Sequence, residues 1–218
     1  MLLDKFEKTI GVTDNALTPK FCNKIIDLFE ICSDRGITVD GHTHRGINND
    51  IKDTTEIDLM KIKDNPFVQT IMNVSDNLIY KYVDKFGYKE MFDPHEIFYS
   101  QQNGTHYPMW EVHKYEKGKG HYNAWHTEGT YIHEYSNRLF VSMFYLNDVK
   151  EGGRTVFPYS HRGVVPKQGT HVVFPPHWPW VHYAEEPISD DKYILTSWLC
   201  ASWKDFKHRG HLKNKNSI

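Results

Sequence analysis

The residues best suited to chemistry lie in the segment His121-Tyr-Asn-Ala-Trp-His126-Thr-Glu128-Gly129. Two residues separated by one position on a strand project from the same face, so His126 and Glu128 could grip one ion together. A lone histidine–acid pair of this kind arises readily by chance, and by itself it reads as a strand histidine beside a solvated glutamate. His182, in the aromatic stretch Trp178-Pro-Trp-Val-His182-Tyr183, changes that reading. Two histidines and one carboxylate form the set that suits non-haem Fe(II) and leave coordination positions open for substrates. Further on, Lys192 opens the apolar run Tyr193-Ile-Leu-Thr-Ser-Trp198. A buried cation facing the metal would pair with the distal carboxylate of a dicarboxylic cosubstrate. Taken alone, Lys192 is equally well an exposed lysine at the start of a strand.

These residues need elements to hold them. Two helices open the chain. Thr18-Pro19 supplies a cap followed by proline at the first helical position, and Phe21, Ile25, Leu28, Phe29 and Cys32 recur at helical spacing before Gly36. Asn65-Pro66 offers the same start to a second helix, with Phe67, Ile71, Val74, Leu78 and Tyr82 as its apolar stripe. Residues 37–60 are polar and read as a loop with one edge strand at most. From residue 95 the texture changes to short apolar runs separated by turn residues. The expected strands are Glu96–Gln101, Trp110–Tyr115, Arg138–Leu146, Thr155–Phe157, Gly163–Val165, Thr170–Phe174, Trp180–Tyr183 and Tyr193–Ala201. Short strands without intervening helices imply a sandwich, jelly roll or barrel, with the two helices packed on one sheet. The expectation is a single domain: helical support and polar loop over 1–94, a β core over 95–203, and a basic tail over 204–218.

Composition narrows the function. A formal net charge of -2 gives no positive field for nucleic acid. No stretch approaches the roughly 20 apolar residues of a membrane span, and the N-terminus lacks the apolar run of a signal peptide. Cys22, Cys32 and Cys200 form neither an even framework nor a close pair, as expected of reduced thiols in a cytoplasmic protein. An aromatic share of 14% favours pleated sheets and lined pockets.

The order His126-x-Glu128, Arg138, Tyr145-Leu-Asn-Asp-Val-Lys-Glu-Gly-Gly-Arg-Thr155-Val-Phe-Pro158, Val165-Pro-x-x-Gly169, His182, Lys192 resembles the prolyl 4-hydroxylase-like Fe(II)/2-oxoglutarate-dependent dioxygenases. The resemblance spans roughly residues 95–200. It implies a mainly β fold, a double-stranded β-helix (jelly roll) with helices packed on one sheet. It implies iron bound by His126, Glu128 and His182, a salt bridge from Lys192 to the C5 carboxylate of 2-oxoglutarate, and Thr155 as its hydrogen-bonding helper. Tyr115 stands where the family often places a cosubstrate-binding tyrosine, although simple sheet packing would also account for it. The implied reaction uses O2, with ascorbate to keep iron reduced, and hydroxylates an unactivated C–H bond with release of succinate and CO2. In one respect the chain departs from the pattern: the family's carboxylate is usually aspartate, and Glu128 is one methylene longer.

The expected substrate is a prolyl or other residue in a peptide or protein. A free amino acid or small metabolite is the alternative, and a non-catalytic metal- or ligand-binding jelly roll is a reading of another class. Trp125, Trp178, Trp180 and Trp198 would wall the pocket against water. His42-x-His44 reads as a surface pair, and His95, Glu96, His106, His113 and His121 crowd the strands near the motif, with some of these histidines placed to face substrate.

Overall fold

The computed structural model describes residues 9–43, 45–86, 109–129 and 137–201, with the backbone of short strands at Ile97–Tyr99, Gln101–Gln102 and Thr105–His106. Eight strands form the core: β1 (Glu111–Tyr115), β2 (His121–His126), β3 (Arg138–Tyr145), β4 (Thr155–Phe157), β5 (Arg162–Val164), β6 (His171–Phe174), β7 (His182–Ala184) and β8 (Lys192–Ala201). They divide between two antiparallel sheets. The larger runs Gly11–Thr13, β6, β3, β8, β1, Thr55–Asp58, Val39–Asp40, with Ile97–Tyr99 on the far end of β8; the smaller runs β5, β4, β7, β2, Lys52–Asp53. Consecutive strands mostly cross from one sheet to the other, which winds the chain into the expected double-stranded β-helix.

Alternation along the strands sorts the side chains. On β3, Phe140 and Phe144 face the helices, while Val141, Met143 and Tyr145 face the smaller sheet; on β8, Leu195 and Leu199 face the helices, while Ile194 and Trp198 turn inward. Lys192 and Thr196 share the inward face of β8, as Glu111, His113 and Tyr115 share that of β1. A sheet buried on both faces reads as a nearly continuous apolar run, and β3 and β8 read that way.

Two helices cover the outer face of the larger sheet. α1 (Pro19–Asp34) starts at Thr18, whose hydroxyl accepts the Phe21 N–H at 3.3 Å, and buries Cys22, Ile25, Phe29 and Cys32. α2 (Val68–Lys85) follows a turn in which Asn65 Oδ1 accepts the Phe67 N–H, and it buries Val68, Ile71, Ser75, Ile79, Tyr82 and Val83. Each large apolar side chain so buried contributes roughly 1.5–3 kcal/mol. All three cysteines are buried, and among the described residues no helix is long and apolar enough to cross a membrane.

The polar segment 37–60 differs from expectation. It is a sheet component rather than a loop: Thr55–Asp58 pairs with β1 and Lys52–Asp53 with β2. Its charged residues concealed this, because Lys52, Glu56 and Asp58 are buried and satisfy one another or their neighbours instead of facing water. The strand that carries His126 was also absent from the expected set. Its polar, half-exposed sequence HYNAWH lacks the apolar alternation that marks a strand. His44, His95, Glu96 and the 204–218 tail lie outside the described residues.

Candidate active site

β2 and β7 pair so that His126 and His182 are direct cross-strand partners, after a bulge between Tyr122 and His126. Their ring centroids lie 4.3 Å apart, and Glu128 Oε1 is 3.5 Å from His126 Nε2 and 3.6 Å from His182 Nε2. One ligand atom from each residue falls within 4.8 Å of the other two, close enough for a single ion to touch all three. Glu128 is not on the strand as its spacing suggested: β2 ends at His126, and the carboxylate arrives from the turn that follows. That turn, together with the longer side chain, brings a glutamate to the histidines.

Neighbouring groups fix each ligand atom. His126 Nδ1 lies 2.8 Å from the Ala124 carbonyl and His182 Nδ1 lies 3.0 Å from that of Trp180. A carbonyl only accepts, so each Nδ1 carries the proton and each Nε2 presents its lone pair to the shared site. Glu128 is held on its far side. Trp198 donates its indole N–H to Oε2 at 3.0 Å, and Arg138 donates to Oε2 at 3.3 Å and to the Glu128 main-chain oxygen at 2.7 Å. The guanidinium lies 4.1 Å over the Trp198 ring, so the two clamps also brace each other. Oε1 is left turned toward the histidines.

Charge follows the same plan. Burial pushes the Glu128 carboxyl up, but the adjoining His126 and His182 outweigh it and hold the group well below the usual carboxylate range. Burial, with His182 close by, pushes His126 below its ordinary value. An ionised carboxylate and a neutral imidazole are the forms that bind metal. Tyr122 stacks on His126 at 3.7 Å, and Phe174 and Phe157 pack on His182.

Lys192 enters the same inter-sheet space from the end of β8. It is fully buried, its Nζ has no hydrogen-bond partner, and it lies 4.6 Å from the Tyr115 ring and 5.8 Å from that of Tyr145. Burial lowers its pKa to about 7, with Glu185 opposing weakly from a distance. An unpaired ammonium in such a place is costly, and a carboxylate delivered to Nζ would supply the missing acceptor. Tyr145 donates its hydroxyl to Thr155 Oγ1 at 2.7 Å, placing both beside this lysine's pocket.

Of the sequence-derived residues, His126, Glu128 and His182 cluster on the smaller sheet and the turn after β2, while Lys192 and Tyr115 lie directly opposite each other in the β1–β8 register of the larger sheet. Thr155 is buried and bonded to Tyr145, a residue that sequence reasoning had not assigned to the site although it heads the Tyr145-Leu-Asn motif. Arg138 was likewise only part of a motif, and its clamp on Glu128 has no local sequence signal. The tryptophan wall is corrected. Trp125 and Trp178 are 61% and 70% exposed, so they cannot exclude water from the centre, whereas Trp198 touches the site. Trp125 points outward because strand alternation places it opposite in sense to His126.

Comparison with known proteins bears on this arrangement. Residues 110–200 match the family model of the 2OG-Fe(II) oxygenase superfamily. No curated protein matches the chain. Among solved structures, a Trichoplax adhaerens prolyl hydroxylase in complex with a hypoxia inducible factor peptide fragment is similar with a TM-score of 0.66 at 14% identity, covering 100% of this chain and 95% of that one. A Pseudomonas putida prolyl-4-hydroxylase gives 0.65 at 14% identity, over 92% and 100% of the two chains. A viral collagen prolyl hydroxylase of Paramecium Bursaria Chlorella virus-1 gives 0.59 at 16% identity, over 88% and 96%. At these identities the structures speak for a shared fold. The family model speaks for the chemistry, which uses Fe(II), 2-oxoglutarate and O2. Residues 110–200 match the 2OG-Fe(II) oxygenase superfamily, and that match, in a chain of prolyl-hydroxylase fold, supports a 2-oxoglutarate-dependent dioxygenase.

Proposed function

We propose that the protein hydroxylates an unactivated C–H bond of a residue in a peptide or protein. In this reading His126, Glu128 and His182 hold Fe(II), and Lys192 takes the C5 carboxylate of 2-oxoglutarate, flanked by Thr155 and Tyr115. The observation that carries it is a His-Glu-His cluster on the smaller sheet together with a buried ammonium, without a hydrogen-bond partner among the described residues, on the inward face of the larger sheet. When bound, Fe(II), 2-oxoglutarate and O2 together supply the oxidant, with succinate and CO2 released. The protein's own residues do the rest. The two Nδ1 hydrogen bonds aim the imidazoles, Arg138 and Trp198 hold the carboxylate rotamer, and Phe157, Phe174 and Trp198 keep the surroundings apolar. That the Trichoplax relative was solved with a peptide fragment supports a peptide substrate.

The test is an anaerobic titration with Fe(II) and then 2-oxoglutarate, followed by visible absorption. A weak charge-transfer band should form, be absent in His126→Ala and be weakened in Lys192→Ala. Absence of the band in folded, iron-loaded protein would return the chain to the class of ligand-binding jelly rolls.

A further inference from the structure

One stretch of the cavity wall has a polarity that iron and 2-oxoglutarate do not explain. Between Lys192 and Trp198 on the inward face of β8 lies Thr196, whose Cα partner on β1 is Glu111. Thr196 is 6% exposed and its Oγ1 has no hydrogen-bond partner. Glu111 projects from the same face, largely buried, and among the described residues its carboxylate accepts no hydrogen bond; the ring nitrogen His113 Nε2 is 3.7 Å away. A buried hydroxyl without a partner is expensive unless a ligand completes it, and beside it stands the Glu111 carboxylate, 15% exposed and held by no hydrogen bond among the described residues.

The surrounding charges say what that ligand is. Glu56 and Asp58 are the cross-strand partners of His113 and Glu111 on the next strand, so three carboxylates share this wall. Lys52 and His113 are the basic side chains beside them, and both are engaged by Glu56, whose Oε1 lies 2.5 Å from Lys52 Nζ and 2.6 Å from His113 Nδ1 and accepts the Thr54 hydroxyl at 2.8 Å. Asp58 Oδ1 accepts the main-chain N–H of Met60. The Glu111 carboxylate accepts no hydrogen bond from the described residues and faces the space between the sheets. At the Lys192 end the wall is cationic, and at the Glu111 end it is anionic.

We propose that Glu111 and Thr196 form a substrate subsite for a protonated amine or guanidinium, so that the enzyme selects a basic residue or amine-bearing substrate. The proposal rests on the oxygenase reading above, since it names the substrate class of that same cavity. A cationic N–H group gives Glu111 a charge-assisted donor and Thr196 a partner for its hydroxyl oxygen. A prolyl residue within a peptide has no N–H to offer, and an acidic substrate would meet repulsion.

The experiment uses the full chain loaded anaerobically with Fe(II) and 2-oxoglutarate. Binding is read as perturbation of the charge-transfer band by blocked tripeptides Gly-X-Gly, with X as lysine, arginine, norleucine or proline, and by n-butylammonium against n-butanol. The cationic member of each set should act at about tenfold lower concentration or less. Glu111→Gln should abolish that advantage while the band itself persists, and Thr196→Val should reduce it several-fold. Norleucine, proline or butanol binding as well as their cationic counterparts overturns the proposal. So does a preference that survives in Glu111→Gln, or the failure of every cation to bind. Failure of the band to form at all would instead strike the oxygenase reading.

Discussion

Trp198 hands its indole N–H to Glu128 Oε2 at 3.0 Å, joining a residue of the larger sheet to the turn that follows β2 in the smaller one. The bond decides which carboxylate oxygen is free to face the histidines. Trp198→Phe should keep the apolar packing and lose the clamp. Fe(II) affinity should fall about 10–100-fold, with little change in the circular dichroism spectrum, as measured by anaerobic metal titration.

Lys192→Met should separate binding from stability. Removing one partner of a buried charge pair costs about 3 kcal/mol or more, so 2-oxoglutarate affinity should drop on the order of a hundredfold. The ligand-free variant should nevertheless melt higher than the parent, because the orphaned ammonium is gone. Differential scanning calorimetry with and without 2-oxoglutarate checks both signs.

The same lysine sets a pH dependence. Its pKa is about 7 in the folded, ligand-free protein against 10.5 for an ordinary lysine. Between those values the unfolded chain binds the proton and the folded one does not, so stability rises with pH across that window. Binding a dianion requires the charged form, so apparent 2-oxoglutarate affinity should weaken above pH 7, by up to about tenfold per pH unit. Calorimetric titration from pH 6.5 to 9 should show the decline, and Lys192→Met should be flat.

His171 governs the acid side. It lies between α2 and the larger sheet, with Nε2 2.9 Å from Ser142 Oγ, which is itself 2.7 Å from Ser75 Oγ, and its Nδ1 has no partner. Burial pushes its pKa down to about 3 from 6.5. The unfolded chain takes up the proton first, so the stability this group contributes is complete above pH 6.5 and is lost as pH falls toward 3. His171→Leu should unfold at lower pH than the parent in an acid titration followed by tryptophan fluorescence.

Gly169 is a backbone requirement. Its φ is +77°, and a Cβ there would lie 2.2 Å from the Leu17 carbonyl oxygen, while its own carbonyl accepts the N–H groups of Ala16 and Leu17. Gly169→Ala should cost about 1–3 kcal/mol and lower the melting temperature by several degrees. A value unchanged within error would mean the turn can shift away from the N-terminal segment.

How much of this was legible depended on whether a residue's role was encoded locally. Thr18-Pro19 with a period of 3.6 announced α1, and the apolar runs over Arg138–Leu146 and Tyr193–Ala201 announced the strands β3 and β8. The grouping of His126, Glu128 and His182 was readable because two histidines and a carboxylate in that order already describe a set that one metal ion could join. Hidden were β2, whose polar sequence owes its pairing to β7 and Lys52–Asp53, and the 37–60 segment, whose charges are satisfied across strands. Trp198 and Arg138 gave no sign of clamping Glu128, since that contact joins positions far apart in the chain.

Sequence by itself determined the chemistry available: which side chains can bind metal, which can carry charge, and which segments must bury an apolar face. Tertiary structure alone decided how they are used. The β2–β7 register brings the two imidazoles side by side, the turn after β2 swings in a glutamate, and the β1–β8 register sets Glu111 beside Thr196 and Tyr115 beside Lys192. The reason is physical. A side chain's type is fixed by its covalent structure. Its partners, charge state and desolvation depend on residues distant in sequence that only the folded sheets bring within a few ångströms.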